Sequence, residues 1–132
     1  MRTVLSCPAC QNRMKQPGPD HPITIAPADA RVRVTFAGRT IADTRRALKL
    51  REAGYSPVFY IPRDDVTMDA LTRTDHHTHC PYKGDANYFS IETSGRRADN
   101  AVWSYEQPYP AVNAIKGLLA FYPHRVDKIE EG

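Results

Sequence analysis

From residue 31 the chain alternates strictly between polar and apolar side chains. In Arg31-Val32-Arg33-Val34-Thr35-Phe36 the period of two puts Val32, Val34 and Phe36 on one face, the pattern of a half-buried strand. Ala37-Gly38 predicts a tight turn into a second strand over residues 39–42. Residues 45–54, RRALKLREAG, have the composition of a helix. Their alternation sets Arg45, Ala47, Lys49 and Arg51 on one side and Leu48 and Leu50 on the other, which is strand spacing. A helix would leave only a thin apolar stripe, so a strand is predicted. Residues 58–61 form another, stopped by Pro62.

Beyond Pro62 the pattern loosens. Residues 64–71 suit one or two helical turns, with Asp64 and Asp65 at the end the helix dipole favours. Residues 86–93 and 98–106 predict two strands around the turn signal Ser94-Gly95-Arg96. A short helix over residues 111–116 and a last strand over 118–122 complete the count. Seven short strands with one or two short helices predict a mainly β, compact antiparallel domain.

Composition narrows this reading. The chain has 132 residues, enough for one domain to bury a core without staples. Residues 1–16 predict an extended tail, and 17–132 a single β domain; QPGPDHP brings three prolines into a surface-lying lead-in up to residue 22. Apolar runs are far too short for a membrane span. Three cysteines, without an export signal, point to a reducing compartment and a cytoplasmic protein.

Charge adds an asymmetry that the net +3 hides: residues 1–63 carry 11 basic against 4 acidic side chains, and residues 64–132 carry 7 against 11. The basic residues alternate with apolar ones and form no run, so nucleic-acid binding is disfavoured. Opposite charges on paired strands explain the pattern equally well.

The densest chemistry lies in HHTHCPYKGD, residues 76–85. For metal, Cys7 and Cys10 make one well-spaced pair, and His76, His77, His79 and Cys80 offer a second; half a zinc ribbon is a weak signal, and the first pair sits in the tail. For thiol chemistry, Cys80 precedes Pro81-Tyr82-Lys83-Gly84, a turn that would bring the Lys83 cation back over the sulfur, with Asp85 left to orient His79, Lys83 or a ligand. Equally, CPYKG is a plain turn and Cys80 a small buried hydrophobe. On alternating strand positions, His77 and His79 would share a face and His76 would not. Neither GxxxxGK[ST] nor GxGxxG occurs, and the sequence names no cofactor. Ala101, Trp103 and Tyr105 share a strand face, with Tyr60 and Tyr88 as neighbours, either as core or as pocket wall.

Several longer motifs carry a resemblance. PGPDHPI (17–23), RVRVTFAGRTIADT (31–44), YIPRDDV (60–66), THCPYKGDANYFSI (78–91), AVWSYEQPYPAV (101–112) and LAFYPHRVD (119–127) resemble, in order, the family called domain of unknown function 427. The resemblance implies an Mss4-like or β-tent fold, and its densest motif is HCPYKGD. The family also carries an automatic nucleotidyltransferase label, whose glycine-serine and spaced-aspartate signature is not visible in this chain.

Two functions compete. In the first, a binding module holds a small anionic ligand in a polar, aromatic pocket around HCPYKGD, with Tyr60, Arg63, Tyr82, Lys83, Tyr88 and Trp103 as ligand-binding residues. In the second, a small enzyme uses Cys80 as nucleophile or redox thiol, His79 as base, Lys83 to stabilise negative charge and Asp85 to orient. Zinc binding and protein interaction through sheet edges or the tail are further alternatives. The sequence fixes neither the ligand nor the oligomeric state.

Overall fold

A computed structural model describes residues 14–132. Ten strands follow in order: β1 (Ile23–Pro27), β2 (Val32–Phe36), β3 (Arg39–Thr44), β4 (Leu48–Glu52), β5 (Val58–Tyr60), β6 (Leu71–Cys80), β7 (Gly84–Thr93), β8 (Arg96–Ser104), β9 (Ala120–Phe121) and β10 (Lys128–Glu131). They form three antiparallel sheets, β1-β4-β5, β10-β2-β3 and β6-β7-β8-β9. The fold is mainly β, as the alternation predicts.

The short helical turns expected over residues 64–71 and 111–116 are present, in 3-10 form. Among the described residues there is no α-helix, only 3-10 stretches at Arg63–Asp65, Met68–Ala70 and Pro110–Ile115. Leu71, expected to close a helical turn, instead opens the ten-residue strand β6. That strand, β1 and β10 add to the seven predicted. β6 lies at a sheet edge and is largely exposed, so no face of it is selected for apolar side chains and alternation cannot reveal it.

Strand β2 behaves as its period requires, with Val32, Val34 and Phe36 buried and Arg33 and Thr35 half-buried. The turn at Ala37-Gly38 places both residues at positive φ, 53° and 76°, the geometry of a two-residue hairpin. Ser94-Gly95 does the same between β7 and β8, with φ of 54° and 74°. Residues 45–54 contain β4, which settles that segment as strand. Isolated bridges join Ala42 of β3 to Val66, and Ile61 after β5 to Leu119 before β9.

Two buried clusters result. One gathers β2, β3, Ile91, Val102 and Phe121; the other gathers Leu50, Tyr60, Ala86, Tyr88, Tyr105, Val112, Ile115 and Ala120. The charge asymmetry resolves into pairs across the chain, among them Arg39–Asp69, Arg46–Asp65, Lys49–Glu131 and Arg63–Glu106. No described helix is long and apolar enough to cross a membrane.

Candidate functional site

The β6–β7 hairpin turns at Pro81-Tyr82-Lys83, where the Lys83 amide donates to the Cys80 carbonyl at 3.3 Å. Gly84 then takes φ +109°, a conformation open to glycine and costly for any other residue. The Lys83 carbonyl accepts from the Tyr109 amide at 3.0 Å, pinning the turn to the loop after β8. A Cβ at Gly84 would come no closer than 3.4 Å to the Gln107 carbonyl, so the cost of substitution is backbone strain and not collision. Gly84→Ala should therefore cost about 1–3 kcal/mol in chemical denaturation. Gly54→Ala, in open space, should change stability by less than about 0.5 kcal/mol.

This turn drives Lys83 inward. Its side chain is buried and its ammonium pairs with Glu52 Oε1 at the end of β4. The other oxygen, Glu52 Oε2, lies 2.6 Å from His21 Nε2. The His21 ring in turn stacks on Tyr82, centroids 3.9 Å apart and nearly parallel. The lead-in is thus bound to the site: the Lys15 amide donates to the Pro81 carbonyl at 2.7 Å, and Ala53 donates to the Pro22 carbonyl at 2.8 Å.

Burial opposes ionisation of Glu52, but hydrogen bonds from Lys83 and His21 outweigh it and hold the carboxyl below its ordinary value of 4.5. A depressed carboxyl adds stability above pH 4.5 that is lost as pH falls through its folded value. The urea midpoint should fall as pH is lowered through and below 4.5, and less steeply in Glu52→Gln.

Above this pair opens a cavity of about 350 Å³, within the size range of small-molecule sites. Tyr60, Tyr88, Trp103, Tyr105 and Tyr122 form its aromatic walls, Thr78 adds a hydroxyl, and Glu52 and Lys83 supply the charges. Trp103 and Tyr122 pack at 4.4 Å, and Tyr60 meets Trp103 edge-on at 6.3 Å. The Trp103 indole donates to the Tyr60 hydroxyl at 3.3 Å. Hydroxyls run in series along one side, Thr78 to Tyr88 at 2.9 Å and Tyr88 to Tyr122 at 3.1 Å. Burial pushes the Tyr60 and Tyr105 phenols well above the ordinary range. Burial and the Tyr88 hydroxyl carry Tyr122 up to about 12. Tyr60, Tyr105 and Tyr122 are therefore neutral at physiological pH, and the charged side chains of the lining are Lys83 and Glu52.

Of the ligand-binding residues read from the sequence, Tyr60, Lys83, Tyr88 and Trp103 meet at this cavity. Arg63 does not line it: its guanidinium donates to the Gly117 carbonyl at 2.7 Å and Glu106 at 2.8 Å, against the Phe89 ring. Tyr82 stacks on His21 outside the lining. The thiol constellation divides. His79 and Cys80 are neighbours on a strand and point to opposite faces. His79 Nδ1 lies 2.6 Å from Asp85 on the exposed side, while Cys80 packs against the tyrosine cluster.

His77 faces Asn87 at 3.4 Å, and His76 lies against Tyr88 with Thr78 on the other face, the split expected of a strand. Among the described residues no three His, Cys, Asp or Glu side chains converge on a metal position. Cys7 and Cys10 lie outside the described residues.

Sequence reasoning placed Tyr105 beside Trp103 as core or pocket wall, but did not select His21, Glu52, Thr78 or Tyr122 as site residues. Glu52 sits 31 positions from Lys83, a pairing no local motif encodes. The one available signal was His21, inside PGPDHPI.

No curated protein matches the chain. Residues 24–132 match the model of the family described as a domain of unknown function, DUF427, and with most of its length matched the chain belongs to that family.

Proposed function

We propose that the protein is a binding domain for a small organic molecule with a planar body and a single carboxylate head, seated against Trp103 and the tyrosines with its head at Lys83. The observation that carries this reading is the convergence of five aromatic side chains on one cavity that has a buried ammonium at its edge. An ammonium has three donors; one N–H goes to Glu52, leaving capacity for a ligand oxygen. Glu52 also offsets most of the Lys83 charge, and Arg63 is engaged elsewhere. A singly charged carboxylate therefore suits the site better than a phosphate. The binding unit on this reading is residues 17–132, a cytoplasmic domain of the Mss4-like, β-tent type implied by the resemblance.

Trp103 is the sole tryptophan of the chain and stands in the wall, so its emission reports occupancy. Benzoate should change Trp103 fluorescence saturably, and benzyl alcohol, close in size and lacking the charge, should bind at least about tenfold more weakly. Equal affinity for the two would remove Lys83 from recognition. No saturable response to either would contradict the reading.

A further inference from the structure

A second cavity, of about 230 Å³, lies beside the first and is apolar, with Val32, Val34, Phe59, Ile61, Phe121 and Ile129 among its walls. The two cavities share Val58 and Trp103. Both shared side chains are half-buried, and Val58 belongs to β5, at the edge of its sheet. The two compartments thus meet at these two side chains, with an aromatic, hydroxyl-lined compartment on one side and one lined by apolar side chains on the other.

We infer that the natural ligand is an amphiphile whose carboxylate-bearing planar head fills the tyrosine cavity and whose apolar arm passes Trp103 and Val58 into the second cavity. This rests on the binding reading above and extends it by naming the ligand class. Continuity through a shared wall argues for one occupant. The arm-side side chains are hydrocarbon apart from the Trp103 indole N–H, so they reward length in an alkyl group.

The test is a Trp103 fluorescence titration with benzoate, 4-butylbenzoate and 4-hexylbenzoate. Each methylene seated in the apolar compartment tightens binding about three- to fourfold. 4-Butylbenzoate should therefore bind at least about tenfold more tightly than benzoate even if its chain is only partly buried. In Ile129→Phe, which narrows the second compartment, leaves the first untouched and keeps Trp103 the sole tryptophan, benzoate affinity should hold and the alkyl gain should largely vanish. Pro123→Asp, an exposed lining position, carries the same test if the phenylalanine variant does not fold. Benzoate binding with no alkyl gain overturns the arm and spares the head. An alkyl gain that survives both substitutions also overturns it, because the chain then sits elsewhere. Failure of all three probes overturns both readings.

Discussion

Lys83→Ala should lower the stability of the folded domain by about 3 kcal/mol, read as a shift in urea midpoint at neutral pH. The loss comes from the partner left behind. Lys83 and Glu52 have side chains only 10% and 13% exposed, so removing the ammonium strands a carboxylate with little water to replace it. His21 still reaches Glu52 Oε2, which keeps the cost at the lower end for a broken buried pair. The loss is largely recovered if both charges go together. Lys83→Met combined with Glu52→Gln should recover stability to within about 1 kcal/mol of the parent, since a buried pair and its neutral replacement are close in energy. The double variant should fold and lose its preference for benzoate over benzyl alcohol. A Lys83→Ala protein as stable as the parent would show that the pair is solvated in solution.

Tyr60→Ala should cost about 3–5 kcal/mol, the range for deleting a buried aromatic ring. Tyr60 is 1% exposed and stands where β5 meets the second core cluster. Tyr60→Phe separates ring from hydroxyl. It removes only the acceptor for the Trp103 indole and should cost about 1 kcal/mol. Thermal or urea unfolding of the two variants gives the comparison directly. Equal losses would mean that the hydroxyl, and not the packing, holds this wall.

The parts of the fold legible in sequence are those where one face of a strand is buried and the other is not. Val32, Val34 and Phe36 announce β2 because burial selects every second residue, and the prolines and positive-φ turns mark where strands end. β6 is invisible to the same logic: Arg73, Asp75, His76, His77 and His79 are all exposed, so no period is imposed. The site divides the same way. Tyr60, Tyr88 and Trp103 were accessible to reasoning about faces and strand neighbours. Glu52 was not, because its partner is set by how β4 packs against the β6–β7 turn. Arg63 reads as a ligand cation in sequence, yet Glu106 and the Gly117 carbonyl occupy it in the fold. His79 and Cys80 are adjacent in sequence and diverge in space, since neighbours on a strand point apart.

The most direct test of the ligand pocket is a ¹H–¹⁵N correlation spectrum recorded during a benzoate titration. One tryptophan gives one indole signal, from the N–H bonded to Tyr60. That signal should move saturably, together with the amides of Thr78, Lys83, Tyr88 and Tyr122 around the same cavity. Shifts confined to His77, Asp85, Asn87 and Gln107 on the opposite side of β6, with the indole unmoved, would contradict the assignment of the tyrosine cavity as the binding site.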